Sequence, residues 1–252
     1  MSSELKVRRP DGAITGSSTK HSAKCALPSL VMAGGTIEAL KWLALILMTG
    51  DHVNRFLFNG TVAYLFGLGR LALPIFVFVL AYNLARPGQL ERGTYPRTMK
   101  RLAVFGALAS VPFIALGDLL HAGWWPLNVL FSLLVLTTTL YLVERDDLLA
   151  AGILFLVGGS LVEYGWLGLT LGLAIWTYCK QPSLPAAGVA LLACAGLWLT
   201  NDNFWALAAV PLILAATRVN LHVPRLRWAF YAYYPLHLGV IWLIRSVVGV
   251  AA

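Results

Sequence analysis

The chain has 252 residues, 59% of them hydrophobic and only 12% charged, with a formal net charge of +8 and a mean hydropathy of +0.75. An ordinary soluble domain is about 45–50% apolar and about 25% charged, so a water-soluble globule is excluded: the surplus apolar surface has nowhere to go in water. Nucleic-acid binding, the usual reading of a basic chain, is set aside because the charges sit between apolar runs, where membrane topology places them.

Residues 1–35 form a compositional zone of their own, with Lys6, Arg8, Arg9, Lys20 and Lys24 among Ser, Gly and Pro. They read as a disordered basic cytoplasmic tail, followed by a membrane domain over 36–252. The long polar leader and the charged Asp51-His52 inside the first apolar run argue against a cleaved signal peptide. Nine apolar segments follow, at roughly 37–58, 62–84, 101–117, 124–143, 148–162, 164–179, 186–199, 204–217 and 228–250. A bilayer span takes about 20 mainly apolar residues, so the fifth to eighth are at the lower limit. Stretches such as 71–80 and 186–199 are apolar on every face, which fits helices and not the period-2 alternation of barrel strands. The expected fold is therefore all-α, a polytopic bundle of about nine transmembrane helices embedded in a lipid bilayer. With the N-terminus in the cytoplasm, 16 of the 19 Lys and Arg residues fall on the inner side, leaving Arg55, Arg70 and Arg245; one span more or fewer would put a basic loop on the wrong side. Cys25, Cys179 and Cys194 are odd in number and lack CxxC spacing, so they read as small buried side chains.

Polar residues gather toward one depth. Asp51 lies about 14 residues into the first segment, or roughly 20 Å at 1.5 Å per residue, which puts Asp51, His52 and Arg55 in the outer half. Asp51 and Arg55 share a helix face, while His52 is turned about 100° away. The second segment runs back inward through Gly67-Leu68-Gly69-Arg70 and Pro74, which brings Arg70 to a similar depth. Ionisable groups inside a membrane normally face a cavity or a partner. The same side holds Asp118, His121, Glu163-Tyr164-Gly165 and Asn201-Asp202-Asn203, and the last segment carries Tyr231, Tyr233, Tyr234 and His237. Plainer roles stand beside each functional one. Asp51 with Arg55 or Arg70 can be a structural ion pair, His52 an interhelical hydrogen-bonder, the tyrosines and His237 an interfacial belt, and Asp118, His121 and Asp202 solvated loop residues. There is no HExxH, P-loop, GxGxxG or GxSxG pattern, so no metal is expected. Chemistry here would rest on His as a general base and Arg as a clamp for an anionic group.

The block Leu40-Lys41-x-x-Ala44-Leu45-x-Leu47-Met48-x-x-Asp51-His52 resembles the opening motif of the TraX family of conjugal-transfer membrane proteins. So do Gly69-Arg70-x-Ala72-x-Pro74-x-Phe76 with Asn83-Leu84, then Asn128-Val129-Leu130-Phe131 and Glu163-Tyr164-Gly165-x-x-Gly168. The most specific stretch is Phe230-Tyr231-Ala232-x-Tyr234-Pro235-x-His237-Leu238. Together they resemble a TrbP-like member of the family, with Glu163 standing where relatives often have Asp. The resemblance implies a multi-pass protein of the bacterial inner membrane that matures a pilin subunit, acetylating its N-terminal amine with acetyl-CoA as donor. It is similar in this to the wider group of membrane acyltransferases that use an embedded His with a nearby Arg. On that basis His52, Asp51 and Arg70 are the expected catalytic residues. Arg55, Asn83, Glu163, Tyr164, Tyr234 and His237 are the expected substrate-binding ones. Lys41, Arg97 and Arg101 are expected at the CoA phosphates, in the basic loops 86–101 and 218–227. Two other readings remain: a non-enzymatic pilus assembly factor, and a transporter or proton relay.

Overall fold

The computed structural model describes residues 27–117, 124–226 and 228–248. Backbone groups in an apolar surrounding must be satisfied within their own segment, and each described apolar segment does this as helix. In chain order these are α1 (Gly34–Leu57), α2 (Ala63–Gly69), α3 (Ala72–Leu84), α4 (Thr94–Ala115), α5 (Val129–Glu144), α6 (Leu148–Leu161), α7 (Gly165–Lys180), α8 (Leu184–Gly196), α9 (Trp198–Asn201), a 3-10 turn (Trp205–Ala208), α10 (Ala209–Ala216) and α11 (Ala229–Val248). No β-strand forms among the described residues; Leu127 and Val162 make one isolated parallel bridge.

Several boundaries differ from the sequence pattern, for local reasons. The expected second segment is two helices, α2 and α3. Pro74 has no N–H to give the carbonyl of Arg70. The chain tightens there: the N–H groups of Arg70 and Leu71 bond the carbonyls of Gly67 (3.1 Å) and Leu68 (3.2 Å), three residues back. The fourth segment starts only at Val129, where Asn128 caps α5 by accepting from the N–H of Leu130 (3.1 Å). The third starts earlier than its apolar run, at Thr94. Residues 1–26 of the expected tail, with Cys25, and Asp118, His121 and Arg227 lie outside the described residues. From residue 27 the chain packs against the bundle instead of running free. Tyr178 donates its hydroxyl to the carbonyl of Pro28 (3.0 Å), and the N–H of Met32 donates to Tyr82 (3.0 Å). Met32 is buried against α1, α3 and α10.

Three helical runs among the described residues, Ala63–Leu84, Thr94–Ala115 and Leu184–Asn201, are long and apolar enough to cross a membrane. The 24-residue α1 and the 20-residue α11 have the length, but α1 carries Glu38, Lys41, Asp51 and Arg55 and α11 carries Pro235, His237 and Arg245; the other helices are shorter. Apolar side chains cover the outside of the bundle: Leu149 on α6 is 77% exposed, Leu192 on α8 73% and Val247 on α11 85%, and Val111 and Leu108 do the same on α4. Soluble monomers rarely expose contiguous apolar patches beyond a few hundred Å², so this surface is suited to lipid.

Helix α3 is the hub, packed against α1, α7 and α10, with Ile75, Val77, Phe78, Ala81 and Leu84 buried. Helices α5 and α7 meet closely at Gly172, where a methyl group would collide with Leu136. The last helix, α11, returns to pack on α1 and α4, running parallel to α1, with Trp42 beside Phe230 and His52 beside His237. The bundle has two distinct ends. At the basic end, Lys41 of α1, Asn83 of α3, Arg97 and Arg101 of α4, Arg225 just before α11 and Tyr231 within it line one cavity. Tyr95 there reaches Glu144 at the end of α5 (3.3 Å), and Glu144 pairs with Lys180 at the end of α7. At the opposite end, Arg245 of α11 donates to the carbonyl of Leu116 just past α4 (2.7 Å).

Candidate functional site

At that opposite end a charged pair is built into the core. Asn54, fully buried, holds the turn that follows α1: its side-chain oxygen accepts from the N–H of Val62 (2.9 Å) and its carbonyl accepts from Gly60 (2.8 Å). The turn sends α2 back along α1, so that Gly69 passes directly over Asp51. Arg70 then forms an ion pair with Asp51, and each residue is only 8% exposed. Arg70 Nε also donates to the carbonyl of Phe66 (3.3 Å), Nη1 reaches toward Asn201 Oδ1 (3.5 Å), and the guanidinium lies 4.4 Å from the Phe66 ring centre. Among the described residues Asp51 Oδ1 and Asn54 Nδ2 are buried without a hydrogen-bond partner.

Tyr164 stands within the electrostatic reach of Arg70, Glu163, Asp51 and Arg55. Its left-handed backbone (φ 61°) caps α7. The turn is pinned from below: the N–H of Leu127 donates to Leu161 (2.8 Å), the N–H of Glu163 donates to Leu127 (3.0 Å), and Ser132 donates its hydroxyl to the carbonyl of Glu163 (2.7 Å). Arg55 is exposed, with its guanidinium 5.8 Å from the Phe56 ring centre.

His52 follows Asp51 directly, so its side chain points about 100° around the helix and meets α11. His52 Nδ1 and His237 Nε2 are 2.8 Å apart, and the two rings are within 3° of parallel. His237 Nδ1 lies 2.9 Å from the carbonyl of Tyr233. The Tyr233 hydroxyl is 2.8 Å from Thr49 Oγ1 of α1, and Thr49 gives its own proton to the carbonyl of Leu45 (2.7 Å). The Tyr234 ring stands edge-on to both imidazoles, with centres 6.4 Å from His52 and 5.4 Å from His237. Asp51, His52 and Arg70, expected together as catalytic residues, are divided: the Asp51 carboxylate is taken by Arg70, and the ring nitrogen of His52 meets His237.

The cavity at the basic end has a volume of about 410 Å³, within the range of about 300–1,000 Å³ usual for ligand pockets. Lys41, Arg86, Arg92, Arg97, Arg101 and Arg225 line its mouth, and Leu45, Met48, Phe76, Val79, Leu130 and Leu133 line its depth, with Asn83 between and Tyr234 at the wall. Met48 is one helical turn before His52, and the Tyr234 ring packs edge-on to both histidines, so Tyr234 stands between the cavity and the imidazole pair, which does not itself line the cavity. The cations are held in place. Lys41 donates to Glu38 Oε1 (2.6 Å) and sits 4.8 Å from the Phe230 ring centre. Arg101 lies over Trp228 (4.7 Å) and Tyr231 (5.8 Å). Arg97 donates to the carbonyls of Gly93 (3.0 Å) and Arg92. Asn83 donates to Val79 in its own helix (2.8 Å). A cationic mouth over an apolar throat suits a phosphate-bearing ligand with a slender uncharged arm.

The expected residues thus fall into three groups. Lys41, Asn83, Arg97, Arg101 and Tyr234 share the cavity. His52 joins His237 beside Tyr234. Asp51 joins Arg70, with Arg55 and Tyr164 within electrostatic reach of the pair and Glu163 beside Tyr164. Residues not anticipated are Glu38, Thr49 and Asn54, and Tyr233, expected only in an interfacial belt, instead backs His237 and meets Thr49. Glu38 was findable from its three-residue spacing to Lys41; Thr49 and Tyr233 meet only because α11 folds onto α1, 184 residues away.

The family model described as "TraX protein" matches residues 36–245. Protein TraX of Escherichia coli is 29% identical over 231 residues, covering 84% of this chain and 88% of the relative. No solved structure matches this chain. The matched region runs from the first turn of α1 to Arg245 in α11 and holds both the imidazole pair and the basic cavity, so the chain belongs to the TraX family.

Proposed function

We propose that this chain is a multi-pass acyltransferase of the bacterial inner membrane, moving an acetyl group from acetyl-CoA to the N-terminal amine of a conjugative pilin subunit. The observation that carries this reading is the continuity of one cavity, from six cationic side chains at its mouth to Tyr234 beside the His52–His237 pair. The basic end faces the cytoplasm, as the bias of Lys and Arg requires. That is where CoA is found. Lys41, Arg97, Arg101 and Arg225 receive its phosphates, and the apolar throat takes the uncharged arm and brings the thioester to the imidazoles.

The acceptor amine arrives from the opposite end, where a pilin embedded in the membrane presents its trimmed N-terminus. The amine nitrogen attacks the thioester carbonyl. The C–N bond forms, the C–S bond breaks, and His52 takes the proton from the amine and returns it to the departing sulfur. Arg70, within electrostatic reach of His52, supplies positive potential to the oxyanion that develops on the carbonyl. Glu163, Tyr164 and Arg55 line the approach of the acceptor.

Intact-mass measurement of mature pilin from cells with and without this gene tests the reading. An acetyl-sized increment that depends on the gene, and that a folded His52→Ala protein does not restore, is the expected result. No increment in either strain favours a non-enzymatic assembly factor. Proton-coupled solute uptake by proteoliposomes of the purified chain favours a transporter.

A further inference from the structure

We infer that His237 is the positioning residue that fixes the tautomer of His52, leaving His52 Nε2 as the bare nitrogen that accepts the substrate proton. This deepens the acyltransferase reading and rests on it. The inference follows from hydrogen-bond bookkeeping between two neutral rings. The carbonyl of Tyr233 can only accept, so His237 Nδ1, 2.9 Å away, carries the proton. Neutral His237 then has no proton on Nε2, which must accept. His52 Nδ1, 2.8 Å from it, is therefore the donor. With its proton on Nδ1, His52 keeps a lone pair on Nε2.

Helix α11 holds this arrangement in several ways. The Tyr233 ring stacks on His237 with centres 5.2 Å apart and planes 15° from parallel. The Tyr233 hydroxyl is tied to Thr49 of α1. Since Thr49 spends its own proton on Leu45, Tyr233 is the donor of that pair. His237 itself is buried. When His52 takes a proton on Nε2 it becomes a cation, and its Nδ1–H bond to His237 strengthens as a charge-assisted one. A carboxylate fills this place for the histidine of hydrolase triads; here a second imidazole backed by a backbone carbonyl fills it, because Asp51 is committed to Arg70.

The test uses the full chain in lipid nanodiscs with ¹⁵N-labelled histidine, signals being assigned by single His→Gln variants, and reads which ring nitrogens carry protons. The expected result is a protonated Nδ1 and a bare Nε2 on His52, together with a protonated Nδ1 on His237. In the same preparations His237→Phe lowers kcat for acetyl transfer by about 10²-fold, the scale of a mispositioned general base, with KM for acetyl-CoA unchanged. His237→Gln, whose side-chain oxygen can accept from His52 Nδ1–H, recovers most of that loss. A proton on His52 Nε2 in the wild-type protein overturns the inference, as does equal loss in the Gln and Phe variants. Wild-type protein with the expected tautomers but no acetyl transfer retires the acyltransferase reading and leaves the histidine pairing standing.

Discussion

The space that a methyl group would occupy on Gly69 is filled by the Cβ and Cγ atoms of Asp51. This one contact explains why the ion pair can form in the core: α2 must pass close enough to α1 for Arg70, the next residue, to turn back onto the carboxylate. Gly69→Ala forces the helices apart at the pair. Overpacking of this kind costs about 1–3 kcal/mol. An equilibrium SDS-unfolding titration of the purified protein should show a loss in that range. Wild-type stability in the Ala variant would contradict the account.

The pair itself should be worth more as a pair than either half suggests. Removing one partner of a buried ion pair leaves an uncompensated charge and costs about 3–5 kcal/mol. Asp51→Asn and Arg70→Gln should each destabilise on that scale, and the double variant by less than the sum, since it strands no charge. A double-mutant cycle in the same titration measures the coupling. Strict additivity would mean that the two groups are separately satisfied.

The helical character, the order of the segments and the convergence of Asp51 and Arg70 were legible because they rest on local rules: apolar run length, and the spacing of charges on neighbouring antiparallel segments. The cluster of cations around the cavity was legible for the same reason, since basic loops are already gathered by sequence position. What could not be read was direction. The 100° between Asp51 and His52 was visible, being about one residue's turn of a helix, but which helix would meet His52 depends on α11 packing against α1, a contact across 185 residues. The break at Arg70 was also hidden in a continuous apolar run, although Pro74 was the cue for it. Glu38 is a weak cue: its three-residue spacing to Lys41 is visible in the sequence, but a single acid among many cations reads as topology and not as a buried partner.

Asn128 is a joint, not a chemical group. It is 1% exposed, its oxygen caps α5, and its amide donates to the carbonyl of Gly106 (3.0 Å) and the hydroxyl of Ser110 (3.1 Å) on α4. Asn128→Ala removes a cap, worth about 1 kcal/mol, and two side-chain hydrogen bonds to α4, each worth about 0.5–1.5 kcal/mol. The variant should lose about 2–4 kcal/mol in the unfolding titration while its remaining folded fraction keeps the wild-type KM for acetyl-CoA. A raised KM with unchanged stability would instead give Asn128 a part in binding.

If the chain is the proposed acyltransferase, the cationic mouth makes a separable forecast, because groups that bind the phosphates remotely hold ground state and transition state alike and so act on KM. Arg101→Gln and Arg225→Gln should each raise KM for acetyl-CoA about 10-fold, the equivalent of about 1.4 kcal/mol, with kcat nearly unchanged. The effect should shrink at high ionic strength, since exposed charges are screened over about 8–10 Å near physiological salt. Glu38 pulls the other way. It is buried, it accepts from Lys41 (2.6 Å), and it lies 3.8 Å from Arg225, so it competes with an arriving anion for both cations. Glu38→Gln should therefore lower KM for acetyl-CoA several-fold, the opposite sign to the arginine variants, because a neutral amide releases Lys41 and Arg225 to the ligand. Initial-rate kinetics at two salt concentrations check all three variants together. A KM in the Glu38→Gln protein that rises with those of the arginine variants would mean that Glu38 builds the mouth and does not compete for it.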